Sequence, residues 1–307
     1  MSIWEKSPSN KIKENNDLFT LNTSEIFSYN AYISHQKENE KRVKEWHQYE
    51  NKLLDATLKE FTFRGFCYVC KDFQDFFVDY NYCHSINNIK LPNWRERLVC
   101  PCCHLNNRMR ATIHIFEQEF KPNKHSTIYL TEQMTPTYSW FKSNYNNVIG
   151  SEYLGDSIAP GSYNNKGIRN EDTTKLSFSS AELDCILSFD VFEHISNYTS
   201  ALKECYRCLK PGGVLFFSIP FVKSSQKNIV RAVQQKNGEI SHILPAEYHG
   251  DPTDSNGCLC FYHFGWDFLN NLKNEGFKDP RAILYWSQDY AYLGGEQIIF
   301  AAKKGKK

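Results

Sequence analysis

The sequence has no apolar run approaching the roughly 18 residues that a membrane helix requires. Its longest candidate, Gly213 to Val222, is broken by Ser218 and Pro220, so a membrane span is not expected. It also lacks an excess of either charge. Lys and Arg number 36 against 35 Asp and Glu, a balance that supplies no overall pull toward nucleic acid or an anionic membrane and leaves such binding to a local patch. There is no internal repeat and no low-complexity tract. The opening MSIWEKSPSNKIKENND has no continuous apolar core, so it does not read as a secretory signal, and a cytoplasmic location is expected. What the chain does have is 41% hydrophobic and 15% aromatic residues in 307 positions, enough for a substantial core.

Composition changes along the chain divide it into residues 1–60, 61–110 and 111–307. The first 30 or so residues show no sustained period and are expected to be partly mobile. From Gln36 to Glu60, Val43, Trp46, Tyr49 or Glu50, Leu53 and Thr57 repeat at helical spacing. That pattern predicts an amphipathic helix packed on the rest of the molecule or on a second copy.

Residues 61–110 carry six of the eleven cysteines. The odd total, the missing signal and two Cys-x2-Cys pairs favour thiols kept reduced or bound to metal. Cys67 with Cys70, and Cys100 with Cys103, can each wrap a tight knuckle and bring four thiolates onto a structural zinc. Residues 71–99 make a longer spacer than the usual about 15–20 residues, so an insertion with Phe73, Phe76, Phe77 and Tyr80 must decorate the ribbon. Cys102, Cys83 and His84 are competing ligands. Arg95, Arg97, Arg108 and Arg110 nearby are candidates for phosphate binding or for a solvated charged surface. Asn106 or Asn107 is placed to cap a helix whose inner face is Met109, Ile113 and Phe116.

From Ser126 onward short β-rich runs alternate with helical segments, the pattern of a twisted α/β sheet. The predicted strands are Thr127–Leu130, Asn147–Ile149, Cys185–Phe189, Val214–Ile219, Ala282–Trp286 and Gln297–Ala301. The last two lie too close for a helical crossover and predict an antiparallel pair. Between Cys185 and Ile219, Tyr198, Ala201, Leu202, Cys205 and Leu209 line one helix face, and Lys210-Pro211-Gly212-Gly213 ends that helix. In such sheets ligands bind beyond the carboxyl ends of the strands, which places Asp190 to Ile195 at the crevice.

The segment LDCILSFDVFEHISNYTSALKECYRCLKPGGVLFFSIP, with DVFEHI after one strand and LKPGG before the next, resembles the class I S-adenosylmethionine-dependent methyltransferases. The likeness runs from about Ser126 to Lys304 and includes FGWDFLNNLKNEGF. RERLVCPCC followed by NNRMR resembles a bacterial subgroup with an N-terminal zinc ribbon. The resemblance implies a Rossmann-like sheet with a small four-cysteine module before it, S-adenosylmethionine as cofactor and a structural zinc. It also implies a first loop of cofactor contacts, here Thr131, Glu132 and Gln133. That loop, Thr131 to Pro136, departs from the family in having no glycine. Glu152, twenty residues after Glu132, is the expected ribose ligand. Asp172, on the turn after a third strand, is placed at the adenine with Leu176 as its wall, although Asp172 equally suits a turn cap. Asp190 and Val191 flank the cofactor.

Methyl transfer from a sulfonium is an in-line displacement that asks the protein for alignment, desolvation and sometimes a base. His194, His249 and Asp251 are the candidate catalytic groups. His194 beside Glu193 also suits a structural hydrogen bond, and Gly250 and Pro252 also suit an ordinary turn. Residues 221–264 are too long for a simple connection and are expected to form a substrate lid, with Cys258 and Cys260 as buried thiols. The leading expectation is transfer to a small molecule or a glycan intermediate. Two alternatives are a nucleic-acid methyltransferase using the ribbon as binding arm, which the charge balance does not favour, and a non-catalytic zinc scaffold that has lost the cofactor.

Overall fold

The computed structural model describes residues 19–55, 57–86, 89–251 and 253–306; expectations for residues 1–18 lie outside them. In chain order the elements are β1 (Asn22–Ile26), α1 (Tyr29–Glu38), α2 (Glu40–Lys52), β2 (Glu60–Cys67), β3 (Asp72–Asp79), β4 (His84–Ile86), β5 (Ile89–Leu91), α3 (Asn107–Phe120), β6 (Thr127–Leu130), α4 (Pro136–Asn144), β7 (Asn147–Gly150), β8 (Leu183–Phe189), α5 (Tyr198–Cys208) and β9 (Leu209–Ser218). Then come β10 (Ile229–Val230), β11 (Ala232–Gln234), β12 (Ile240–His242), β13 (Tyr248–His249), β14 (Cys258–Leu259), β15 (Tyr262–His263), α6 (Asp267–Asn274), β16 (Phe277–Ser287) and β17 (Tyr292–Lys304).

The central sheet has the order β1-β16-β17-β9-β8-β6-β7. Strands β7, β6, β8 and β9 are parallel, and β16 and β17 form an antiparallel hairpin whose β17 runs against β9. This is the mixed α/β sheet with a terminal antiparallel pair. Both faces are covered, so the central strands are apolar throughout. In β9, Val214, Leu215, Phe216 and Phe217 are all buried, as a strand covered on both faces requires. The helix α5 buries Tyr198, Ala201, Leu202, Cys205 and Cys208, and Gly212 follows it at φ +83°, a left-handed turn that glycine takes without strain.

Three expectations are corrected. Residues 22–26 are not a loose tail: NTSEI pairs antiparallel with β16 from Asn22 opposite Trp286 to Ile26 opposite Ala282. The third strand implied by the resemblance is reduced to one parallel bridge, Glu152 to Asn170, in an otherwise irregular stretch before β8. The helix expected from Gln36 to Glu60 is shorter: α1 ends at Glu38, α2 spans Glu40–Lys52, Leu53 and Thr57 lie beyond it and Glu60 opens β2. Helix α2 packs on this chain. Trp46 stacks on Trp286 with centroids 4.5 Å apart. The buried Glu50 carboxylate accepts the indole N–H of Trp286 at 2.8 Å and the amides of Gly294 and Gly295 at 2.7 and 2.9 Å.

The β2–β3 hairpin and residues 94–100 also dock on the β16–β17 hairpin. Cys67, Phe76, Val78, Trp94 and Leu98 share one core with Trp286, Ala291 and Leu293. Asn106 caps α3 by accepting the Met109 amide at 2.9 Å, and Ile113 and Phe116 face inward. Among the described residues of 221–264 are three short antiparallel ribbons, β10 with β15, β11 with β12 and β13 with β14. Among the described residues no helix is long and apolar enough to cross a membrane.

Candidate active site

The chain leaves β6 for β7 on one side and returns through β8 on the other, which makes the carboxyl ends of these strands a topological switch point where α/β sheets bind ligands. A cleft of about 1340 Å³ lies there, lined by the ends of β6, β7, β8 and β9, by residues 93–109 and by the ribbons of residues 221–264. Such a volume exceeds the roughly 300–1,000 Å³ of a typical small-molecule site and leaves room for two ligands.

The glycine-free first loop is held by other means. Thr135 Oγ1 caps α4 by accepting the Tyr138 amide at 3.1 Å. Gly150, at the end of β7, supplies the close approach the loop needs. A Cβ there would fall 2.4 Å from the Tyr138 ring and 2.7 Å from the Glu132 carbonyl. Glu152 Oε1 accepts the amides of Gln133 and Met134 at 2.7 and 2.9 Å. The residue expected to grip a ribose therefore already anchors the loop with one carboxylate oxygen. The other, Oε2, makes no hydrogen bond among the described residues and remains an acceptor at the cleft wall.

Thr131, Glu132, Asp172, Asp190, Val191, His194, His249 and Asp251 also line the cleft. Thr131 is nearly buried and donates to Ser188 Oγ at 3.1 Å. Asp172 caps its own turn, accepting both the amide and the hydroxyl of Thr174. Two expected contacts are corrected. Leu176 lies in the core with Tyr129 and Phe178, not on the cleft. Gln133 turns its side chain to Gly167 O and the Arg169 amide, bracing residues 167–169.

Asp190, in left-handed backbone at φ +55°, is the junction between the sheet and the cysteine-bearing segment. Arg95 Nη2 donates to both its oxygens at 2.7 and 2.8 Å, Ser218 Oγ donates at 2.9 Å, and Arg108 Nε stands 3.5 Å away. Glu96 completes the group by accepting from Arg108 and from Asn106. Burial alone would raise the Asp190 carboxyl, but the guanidiniums of Arg95 and Arg108 outweigh it and hold it well below the usual carboxylate range. The other two arginines of the segment are equally occupied. Arg97 pairs with Asp79 at 2.6 Å, and the fully buried Arg110 donates to the carbonyls of Tyr290, Leu98 and Ala291 over the ring of Phe76. None of the four is a solvated surface charge or a spare phosphate ligand. Sequence reasoning missed this because their partners lie up to about 180 residues away.

Burial pushes the Glu132 carboxyl up to about 7, a rise that the Thr135 hydroxyl and Arg108 partly offset. Because its folded-state pKa lies above the unfolded value of about 4.3, the folded protein holds this proton more tightly. The associated stability is complete below about pH 4 and is lost as pH rises through about 7. Part of the residue faces the cleft, so the upper bound for the loss is the about 3.7 kcal/mol that a rise from about 4.3 to about 7 represents. Urea denaturation between pH 5 and 8 should show that decline, and Glu132→Gln should flatten it; an unchanged slope in the variant would rule Glu132 out as its source.

At the other end of the cleft Glu193, His194 and His249 meet. The two imidazoles are edge to face with centroids 4.9 Å apart. His249 Nε2 lies 3.0 Å from Glu247 Oε1, which His263 Nε2 also approaches at 2.9 Å, while Arg231 holds the other oxygen at 3.0 Å. Hydrogen bonding to Cys260 and the nearness of Glu193 and Glu247 push the His249 imidazole up to about 11. Asp251 Oδ1 accepts the amide and hydroxyl of Thr253, so this carboxylate shapes a turn as well as facing the cleft. Cys260 is buried and its thiol donates to Tyr262 O at 3.2 Å. Glu247 and His263 carried no motif that would have singled them out.

Away from the cleft, Cys67, Cys70, Cys100 and Cys103 bring their sulfurs within 4.8 Å of one another. Cys67 to Cys103 is 3.9 Å and Cys70 to Cys100 is 3.7 Å, close to the about 3.8 Å separating two sulfurs bound at about 2.3 Å to one tetrahedral ion. The residues after each pair, Lys71 and His104, are both left-handed and donate back to Cys67 O and Cys100 O. Cys102 points away and is exposed.

A family model described as a methyltransferase domain matches residues 136–217, from α4 through β9. A curated protein from Mycolicibacterium smegmatis, described as a probable S-adenosylmethionine-dependent methyltransferase, is 33% identical over 75 residues, which are 24% of this chain and 29% of that protein. The match thus spans less than a third of the relative's length. Among solved structures, an S-adenosylmethionine-dependent methyltransferase from Mesorhizobium loti is similar at TM-score 0.34 and 14% identity, covering 60% of this chain and 94% of that one. The phosphoethanolamine N-methyltransferase 2 of Haemonchus contortus, in complex with S-adenosyl-L-methionine, is similar at TM-score 0.37 and 13% identity, covering 64% of this chain and 52% of that one.

Proposed function

We propose that the chain is an S-adenosylmethionine-dependent methyltransferase whose acceptor is a small molecule or a glycan intermediate. The observation that carries this reading is the cleft at the switch point between β6 and β8, with Glu132, Glu152 and Asp190 after β6, β7 and β8, the last two within residues 136–217 that match the methyltransferase-domain model. S-adenosylmethionine, when bound, supplies a methyl group already activated on a sulfonium. The residues of the chain then bind and align. Glu152 Oε2 accepts a ribose hydroxyl while Oε1 keeps the loop Gln133–Met134 in place. Asp172 faces the adenine end. Glu132, Asp190 and Val191 border the methionine end; Asp190 is neutralised there by Arg95 and Arg108, so Glu132 is the acidic group left to face a cationic ligand. The ribbons of residues 221–264 cover the acceptor and exclude water, with Asp251 available to take its proton; His194 and His249 stand beside Glu193, and His249, whose neighbours hold it protonated, is not the base.

The cysteine set fits a structural zinc, since four thiolates close the coordination sphere and leave no position for chemistry. Its work is to fix residues 93–109 as one wall of the cleft. A nucleic-acid acceptor is disfavoured because all four arginines expected on a binding arm are engaged inside the protein.

Calorimetric titration with S-adenosylmethionine, with a thermal shift in parallel, tests the proposal. Saturable binding is expected, with about 2.7 kcal/mol of added stability at a hundredfold excess over Kd. No response at high excess would overturn it in favour of a non-catalytic scaffold.

A further inference from the structure

We infer that Glu193, His194 and His249 form a second metal site, open to the cleft, that takes one borderline divalent cation such as zinc. Glu193 is fully buried, and neither of its carboxylate oxygens accepts a hydrogen bond among the described residues. A buried carboxylate without donors is costly, and a nearby cation is the usual remedy. Two imidazole nitrogens face the same oxygen: His194 Nε2 at 3.6 Å and His249 Nδ1 at 3.7 Å from Glu193 Oε1. A shared proton would draw each pair to about 2.7–2.9 Å. The observed separations are those of ligands around one ion, since two atoms each about 2.1 Å from a tetrahedral centre lie about 3.4 Å apart.

The far side of each imidazole is already set for the task. His194 Nδ1 lies 2.8 Å from Leu259 O, so it carries the proton and leaves the Nε2 lone pair toward Glu193. His249 Nε2 lies 3.0 Å from Glu247 Oε1 and donates there, and an ion displaces the proton from Nδ1, the inward atom. Glu247 is in turn fixed by His263 and Arg231. Metal-bound histidines almost always have such an outer carbonyl or carboxylate. The donors come from two separate parts of the chain: Glu193 and His194 follow β8, and His249 ends β13 in the lid. An ion would therefore tie the lid to the sheet.

Two nitrogens and one carboxylate oxygen suit zinc or another divalent ion of the later first row. All three residues line the cleft, so the remaining coordination positions face it, as in metal sites that bind a reactant and unlike the closed cysteine set. If the methyl-transfer reading holds, those positions take an oxygen of the acceptor, which narrows its class to molecules with a hydroxyl or carboxylate near the methylated atom. Metal binding itself does not depend on that reading.

The test is zinc stoichiometry of the full chain, by plasma emission and by calorimetric titration of protein stripped with a mild chelator. Two equivalents are expected for the unmodified protein, and one for His249→Ala and for Glu193→Gln. Cobalt substitution identifies the lost equivalent. The thiolate-to-cobalt charge-transfer band and the d–d bands of the cysteine set should persist in both variants, and the additional d–d absorption of the nitrogen–oxygen site should disappear. One equivalent in the unmodified protein, with a cobalt spectrum equal to that of the variants, overturns the site. That titration decides the matter even if a variant fails to fold. Because it uses no S-adenosylmethionine, a failed metal site and a failed methyltransferase reading are told apart.

Discussion

Replacing Cys100 with serine is expected to abolish binding of S-adenosylmethionine as well as of zinc, the two ligands proposed above. The four sulfurs tie the β2–β3 hairpin to residues 97–106, and the same stretch presents Arg95 and Arg108 to Asp190. Structural zinc sites in small modules contribute apparent binding energies of about 10–16 kcal/mol, most of which is folding energy for the segment concerned. With that tie broken, the wall of the cleft formed by residues 93–109 loses its support, and Asp190 is left partly buried without its cations. Removing one partner from a buried ion pair costs about 3–5 kcal/mol. The expected result is protease sensitivity between residues 60 and 106, loss of one zinc equivalent and no measurable S-adenosylmethionine binding. If the variant loses the metal but binds the cofactor within twofold of the parent, the module is not a wall of the cofactor site.

The second large effect is expected for Glu152→Ala. This change removes the acceptor for the amides of Gln133 and Met134 together with the proposed acceptor for a ribose hydroxyl. Hydrogen bonds to charged groups contribute about 1.5–3 kcal/mol each, so affinity for S-adenosylmethionine should fall by about a hundredfold or more. Glu152→Gln keeps a carbonyl oxygen for the loop and should lose less. Calorimetry on both variants separates the two roles: equal losses assign Glu152 to the ribose contact alone, near-parental affinity in the glutamine variant assigns it to loop anchoring alone, and unchanged affinity in the alanine variant removes it from the cofactor site.

Much of the architecture was legible because it rests on local pattern. The apolar run at Cys185–Phe189, the single buried face from Tyr198 to Cys205 and the paired cysteine spacings each encode their element within a few residues. The first strand was not legible. Asn22–Ile26 is short and mostly polar, and its partner lies about 260 residues away. The same limit applied to the site. Sequence singled out Glu152, Asp190, His194 and His249, but what each one touches is set by chain segments brought together only on folding. Arg95 read as a surface cation because nothing near it in sequence names Asp190. Leu176 read as an adenine wall because the resemblance supplied a third strand that the chain replaces with an irregular segment. The loop without glycines became intelligible only when Gly150, on the neighbouring strand, proved to provide the space.

The quartet of Arg95, Glu96, Arg108 and Asp190 has a consequence for heredity within this architecture. Two of its positive and one of its negative members come from the cysteine-bearing stretch, and the remaining negative one comes from the sheet. A sheet transplanted without the preceding stretch would carry an uncompensated carboxylate into its ligand trough, and the stretch alone would carry surplus cations. The two parts can be exchanged between proteins only as a matched set.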